Sequence, residues 1–344
     1  MSETPPATNR TVMSDITSLD STPSSTTVDL GGAVELLDAA TSVTVLCHVQ
    51  PDADTLGSGL ALGLALERRG VSVQVAFGSP DAVPDSMREL PGLHLVTPAA
   101  EVRETVDLLV TVDCGTAGRL GRLAPRLHGA ARTLVIDHHR SNTRFGTHDL
   151  IEPEAEATAA VLADLFDVWG VEIDADLAHC LFAGLVTDTG SFRWGRASSH
   201  LLAERLLSTG IDGARITRQL LDTHPFGWLP MLSAVLATAT LVPEAAGGRG
   251  LVHATVLRGD SAHLRSEEIE SVIDIVRTTA EAEVAAVFKE VGSGVWTVSL
   301  RSKDGIDVSL VASRLGGGGH RAAAGYTAHG DRTQIVAELR DALG

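Results

Sequence analysis

The sequence predicts an α/β chain in two domains: a parallel-sheet domain first, then a smaller α/β domain behind a linker. Three observations predict it. The 344 residues exceed one small module and suit two domains. Short runs rich in Val, Leu and Ile alternate with helical segments, the pattern of a parallel sheet with crossover helices. That alternation breaks at Asp222-Thr-His-Pro-Phe-Gly-Trp, and a second alternation begins beyond it.

Residues 1–27 are rich in Ser, Thr and Pro and nearly free of large apolar groups, so a disordered tail is expected. The first domain is read as 28–210. Its strands are expected at Val43–His48, Val71–Phe77, Asp107–Asp113 and Thr133–Asp137, with helical segments between them. One such segment, Leu56–Arg69, carries Gly57, Gly59 and Gly63, which suit close packing on the sheet. Helices near Thr158–Trp169 and Asp176–Thr187 follow the last strand. The second is apolar on nearly every side and is expected to be buried. Residues 211–232 read as the linker, with Phe226 and Trp228 packing between domains. In the second domain, 233–344, strands are expected near Thr238–Val242, Gly250–Leu257, Ala282–Val291 and Val295–Arg301. Helices are expected near Ser266–Thr279, Asp307–Leu315 and Thr333–Leu343.

Composition narrows the partners. A net charge of −17, from 44 acids against 27 bases, repels polyanions and argues against a long duplex. With 3% aromatic residues the chain is poorly equipped to stack a long single strand. Three cysteines, an odd number, argue against a disulfide framework and for a reducing compartment. Cys47, Cys114 and Cys180 read as buried small hydrophobes. The longest uncharged apolar stretch, around Trp228 to Pro243, is broken by prolines and too short for a bilayer. A cytoplasmic protein with no membrane partner is expected.

In open α/β sheets, ligands gather beyond the carboxyl ends of the strands. Here three strands end in metal-ligand types: His48 running into Asp52-Ala-Asp54, then Asp113, then Asp137-His138-His139. An Asp at a strand end is ordinarily a turn residue, and a lone His is ordinarily structural. Three converging ends with at least five such groups point to metal instead. Asp52 and Asp54, two apart in what reads as a non-helical loop, can face one side. Several carboxylates in one cleft repel one another without cations. A mixed His/Asp set suits Mn²⁺, with Mg²⁺, Fe²⁺ or Co²⁺ as alternatives, whereas a structural zinc site favours cysteines. Asp188, directly after the buried helix, joins the ligand candidates. In the second domain, Gly316-Gly-Gly-Gly-His320 exposes backbone N–H groups, and Arg301 and His320 can add donors to a phosphate.

Taken together, His48…Asp52-Ala-Asp54, Val112-Asp113, Asp137-His138-His139 and Thr187-Asp188-Thr resemble, in order and spacing, the four motifs of the DHH phosphoesterase superfamily. Arg301-Ser302 and Gly316–Gly325 look like its associated C-terminal domain. The resemblance covers about Val28 to Leu343 and points to the nanoRNase/pAp-phosphatase branch, which includes cyclic di-AMP and pApA phosphodiesterases. It implies two Mn²⁺ ions, with Mg²⁺ or Co²⁺ as substitutes. One would be held by His48, Asp52 and Asp113, the other by Asp54, Asp113, His138 and Asp188, with Asp113 bridging. Asp137 would orient the histidines and His139 would meet the phosphate or the attacking water. Arg301, Ser302, Gly317, Gly318, Gly319 and His320 would anchor the distal part of the substrate. Implied substrates are cyclic or linear dinucleotides, nanoRNA and 3′-phosphoadenosine 5′-phosphate, and a homodimer is implied. Two rivals stand beside this reading: a single-strand exonuclease, disfavoured by charge and length, and a catalytically silent nucleotide-binding regulator, disfavoured by the complete ligand set.

Overall fold

The computed structural model describes residues 25–303 and 305–344. Residues 1–24 of the expected tail lie outside the described residues. Its last residues, Thr26–Thr27, form a short strand, β1. The first sheet adds β2 (Ser42–Cys47), β3 (Ser72–Phe77), β4 (Val106–Val112), β5 (Ala130–Asp137) and β6 (His148–Ile151). Its order is β1-β6-β5-β4-β2-β3, and every pairing is parallel. The central strands are buried almost end to end, as both faces are covered. Neither β1 nor β6 was expected; both are too short and too polar to leave an apolar pattern.

Helices Leu30–Asp38, Ala53–Arg68, Thr158–Trp169, Ala175–Asp188, Ala197–Leu207 and Gly213–Leu221 share one core with one face of this sheet. Fully buried Leu56, Leu60, Leu62 and Leu66 contribute about 1.5–3 kcal/mol each to that packing. The glycines of Ala53–Arg68 permit it. A Cβ on Gly59 would lie 2.7 Å from Cys47 Sγ, and one on Gly57 would lie 2.4 Å from the Cys180 carbonyl oxygen. The opposite face departs from expectation. The β3–β4 and β4–β5 connections hold short 3₁₀ stretches, Asp85–Met87, Leu93–Leu95, Ala99–Glu101 and Ala117–Gly129, instead of crossover α-helices. Pro84, Pro91, Pro98 and Pro125 deny these segments the backbone donors of a continuous helix. Leu120 and Leu123 nonetheless pack on Leu46, Ala76 and Leu109 of the sheet.

The segment read as a linker is largely helical. Gly213–Leu221 packs Ile216 into the first core, whereas Trp228–Leu236 sends Met231 and Val235 into the second. The change of allegiance falls at His224-Pro225-Phe226. Phe226 does not pack between the domains; it is 82% exposed, while Trp228 turns to the second domain and donates to Ser271 Oγ at 3.1 Å.

The second sheet comprises β7 (Thr240–Val242), β8 (Leu251–Val256), β9 (Val284–Gly292), β10 (Val295–Ser302), β11 (Gly318–Gly319) and β12 (Ala323–His329). Their order is β11-β12-β10-β9-β8-β7, antiparallel except for β8 with β9. Helix Ser266–Val276 covers one face, and Val308–Arg314 with Arg332–Leu343 cover the other. β11 and β12 were not expected because their Gly- and Ala-rich sequences carry little apolar alternation. Among the described residues, no helix is long and apolar enough to cross a membrane.

Candidate metal centre

The strand order builds the site. β2, β4 and β5 lie side by side, and their carboxyl ends deliver His48, Asp113 and Asp137-His138-His139 to one edge. The chain runs from β2 outward to β3, then returns to pair β4 on the other side of β2. His48 and Asp113 therefore flank the crevice at a topological switch point, where open α/β sheets take their ligands.

Asp52 and Asp54 reach this edge differently from the expected loop. Asp52 is the N-cap of Ala53–Arg68, and its Oδ1 accepts from the N–H groups of Asp54 and Thr55 at 3.1 and 3.0 Å. Asp54 stands in the first helical turn and is fully buried. Its carboxylate accepts from the N–H groups of Thr158 (2.7 Å) and Ala159 (2.9 Å). It thereby caps helix Thr158–Trp169, whose own N-cap, Ala157, offers no side-chain acceptor. Gly184 makes room, since a Cβ there would lie 2.4 Å from Asp54 Oδ1. Asp188 is the last residue of the Ala175–Asp188 helix.

Asp113 lies between two groups. Its Oδ2 is 3.5 Å from His48 Nε2, which is also 3.3 Å from Asp52 Oδ2. Its Oδ1 is 3.5 Å from His138 Nε2, which is also 3.3 Å from Asp188 Oδ2. Ligand-type atoms of His48, Asp52 and Asp113 fall within 4.8 Å of one another, as do those of Asp54, Asp113 and His138. Each histidine has its Nδ1 against a backbone carbonyl, Val49 at 2.8 Å and Ala155 at 3.1 Å. Those contacts place the proton on Nδ1 in the neutral ring and turn Nε2 toward the carboxylates. Asp113 itself has φ = 59°, a left-handed backbone rare outside glycine and held here by its N–H bond to the Ile136 carbonyl at 3.0 Å. Thr158 Oγ1 donates to Asp113 Oδ1 at 3.0 Å.

Burial and the neighbouring charges shift these groups in opposite directions. Burial opposes a charge on His48, but Asp52 and Asp113 raise its pKa to about 10. Burial likewise opposes His138, and the neighbouring Asp113 and Asp188 carboxylates lift it to about 12. Burial would raise Asp113, yet His138 and His48 hold it well below the ordinary carboxylate range. Asp54 is pushed well above that range by burial, then by Asp113 and Asp188. Burial takes Asp188 to about 6 despite His138. The donor set fits a metal. His138 Nε2 is buried and, among the described residues, no acceptor is aligned to form a hydrogen bond with it. Oxygen and imidazole donors without thiolate suit hard and borderline dications.

The remaining candidates divide. His139 Nδ1 is 2.7 Å from Asp137 Oδ1, and Asp137 Oδ2 accepts from Asn142 Nδ2 at 2.5 Å. His320, expected at a distal phosphate, instead stacks on His139 with ring centroids 3.9 Å apart, and its centroid is 5.1 Å from that of His138. Burial, then the His139 and His138 charges, lower its pKa to about 3, so the ring is neutral. The glycine run is not an open nest. The N–H groups of Gly316, Gly317 and His320 bond the carbonyls of Ser313, Ala312 and Ala323, and Gly318–Gly319 pairs with β12. These glycines serve close approach: a Cβ on Gly317 would lie 2.1 Å from the Gly325 carbonyl oxygen, and one on Gly319 2.6 Å from that of Ala323. Ser302 Oγ donates to Glu283 Oε1 at 3.0 Å, away from the anchoring role expected of it. Arg301 is half-buried and donates to the Leu300 carbonyl at 3.1 Å. The three cysteines are free and buried, as expected.

Sequence reasoning missed Thr158, Asn142 and Trp194. Asn142 lies five residues after Asp137 and was within reach of a motif reading. Thr158 left no signal, because its contact to Asp113 spans 45 positions. Trp194, 53% exposed, donates from Nε1 to the Asp188 carbonyl at 2.7 Å.

The chain matches the DHH family, N-terminal domain, over residues 42–185 and the DHHA1 domain over residues 248–344. It is 31% identical over 304 residues to the bifunctional oligoribonuclease and PAP phosphatase NrnA of Thermus thermophilus, covering 88% of this chain and 89% of that protein. It is 28% identical to the cyclic-di-AMP phosphodiesterase PdeA of Listeria monocytogenes, covering 83% of this chain but 44% of that one. An exopolyphosphatase-related protein from Bacteroides fragilis shares the fold, with a TM-score of 0.81 at 22% identity over 91% of this chain and 95% of that one.

Proposed function

Because the chain belongs to the DHH family and carries a DHHA1 domain behind it, we propose that it is a metal-dependent hydrolase cutting phosphate esters of short nucleotides. Nucleotide phosphodiester and phosphomonoester hydrolysis is the activity of its similar relatives. One observation carries the reading: a single buried carboxylate, Asp113, stands between a His48/Asp52 group and an Asp54/His138/Asp188 group at the strand ends. The proposed ions are two Mn²⁺, with His48, Asp52 and Asp113 holding one and Asp54, Asp113, His138 and Asp188 the other. Bound there, a pair of dications supplies a water of lowered pKa and offsets charge on phosphoryl oxygens.

The chain's own residues do the rest. Asp137 grips Nδ1 of His139, leaving Nε2 to donate to a phosphoryl oxygen. Burial opposes a charge on His139, but Asp137 and Asp113 raise its pKa and favour the cation. Neutral His320, stacked on it, excludes water from that face. Arg301 is assigned the distal phosphate or nucleotide. The domains touch through Arg265 Nη1 to Asp85 Oδ2 at 2.8 Å and Ser141 Oγ to the Gly319 carbonyl at 3.4 Å, and a site shared between two touching domains is read as taking short substrates. The proposed substrates are pApA or cyclic di-AMP, nanoRNA and 3′-phosphoadenosine 5′-phosphate, giving AMP. The chain is proposed to act in the cytoplasm as a homodimer. A panel of these nucleotides, with pGpG, cyclic di-GMP and a long RNA, assayed with Mn²⁺, tests the proposal. Short nucleotides should be turned over by wild type and not by Asp113→Ala, with the long RNA slower at equal ionic strength. No turnover of any member, or full turnover by Asp113→Ala, would overturn it.

A further inference from the structure

Beyond the ligands, one side chain joins the first domain's metal edge to the second domain. After Asp188 the chain passes through three successive left-handed residues, Gly190, Ser191 and Phe192, with φ of 55°, 58° and 63°. Left-handed backbone is rare for Ser and Phe, and such conformations persist where the surroundings dictate them. The turn brings the Trp194 indole against Gly190, where an added Cβ would lie 2.2 Å from the ring. It also brings Nε1 to the Asp188 carbonyl at 2.7 Å. The ring also meets Arg277, whose guanidinium carbon lies 4.9 Å from its centroid. Arg277 closes helix Ser266–Val276 of the second domain and is held by Asp274, Nε to Oδ1, at 2.8 Å. Core packing does not explain a tryptophan 53% exposed at this place.

We infer that Trp194 is a positioning residue: it pins the end of the helix that presents Asp188, and the Arg277 cation of the second domain keeps the indole in place when the domains are closed. The inference rests on the reading of Asp188 as a metal ligand. A carboxylate at a helix terminus can swing with the fraying last turn, and a hydrogen bond to that residue's carbonyl restrains it. The cation–π contact crosses the domain boundary, so closure on substrate and the placing of Asp188 become one event.

The test uses the full chain with Trp194→Phe, which keeps a ring and loses the N–H, and with Arg277→Gln and Arg277→Lys. Calorimetric titration with MnCl₂ alone should show Trp194→Phe weakening one of two Mn²⁺ sites about tenfold, the low end for groups that orient a ligand. Arg277→Gln should weaken the same site by a smaller factor, and Arg277→Lys should restore it. Turnover of pApA should lose kcat with KM within about twofold, since the defect lies in the centre and not in substrate binding. The ion-free melting temperature serves as the folding control. Wild-type Mn²⁺ titration by Trp194→Phe would overturn the inference, as would a defect confined to KM. Wild-type titration by Arg277→Gln would overturn the interdomain half. Absence of nucleotide turnover by the wild type would refute the proposed activity and leave the titrations to decide Trp194.

Discussion

Thr158→Val isolates one contact of the centre. Thr158 Oγ1 and Asp113 Oδ1 are 3.0 Å apart, and both residues are buried, at 0% and 4% exposure. Valine has nearly the same shape, and the Thr158 N–H bond to Asp54 is a backbone bond that the substitution leaves in place. What is lost is one hydrogen bond to a charged acceptor, worth about 1.5–3 kcal/mol. Each 1.4 kcal/mol is about tenfold in a binding constant, so roughly 10- to 150-fold is the ceiling, reached only where the bond's whole worth is gained on metal binding. His48 and His138 flank the same carboxylate and take up part of the loss, which places the expectation near tenfold. Mn²⁺ titration of wild type and variant, with Thr158→Ser as the variant that keeps the hydroxyl, measures it. Affinity and turnover should fall in Thr158→Val and largely return in Thr158→Ser. A Thr158→Val protein that binds Mn²⁺ and turns over pApA like wild type would show that Asp113 needs no such restraint.

Two further outcomes are expected. His48 and His138 have pKa values raised to about 10 and about 12, so near pH 7 the ion-free protein holds both protons and metal must displace them. Mn²⁺ affinity should therefore rise with pH, by about tenfold per pH unit for each proton released. The ion-free fold should show the opposite trend: the stabilisation from His48 pairing is full below its ordinary 6.5 and fades as pH climbs through about 10. Calorimetry in two buffers of different ionisation enthalpy counts the protons, and a flat affinity between pH 6.5 and 8.5 would contradict the stored-proton picture. Second, Arg301→Ala and His320→Ala should separate. The arginine variant should raise KM for nucleotides and spare bis-p-nitrophenyl phosphate, which has no distal nucleotide. The histidine variant should lower kcat on both, because its ring touches His139. Equal defects from the two variants on the simple ester would refute the division.

The ligand candidates were legible in sequence for a physical reason. In a parallel sheet the strand ends that carry chemistry are marked by where each apolar run stops, and His48, Asp113 and Asp137 sit at those stops. The helix Thr158–Trp169 was read to its limits because its period and the glycine beyond it are both local. Roles that depend on distant partners were not legible. Asp54 caps a helix more than a hundred positions away, and no pattern around it says so. The Gly316–Gly319 run reads as an anion nest, but backbone carbonyls of β12 pressing on Gly317 and Gly319 make it a packing device. His320 and Arg277 became neighbours of His139 and Trp194 only once the two domains met. The sequence alone determined which residue types gather at the strand ends, since periodicity and chain direction are local properties. Tertiary structure decided which atom each of them faces, because hydrogen bonds, ring stacking and the burial that shifts a pKa arise between segments far apart in the chain.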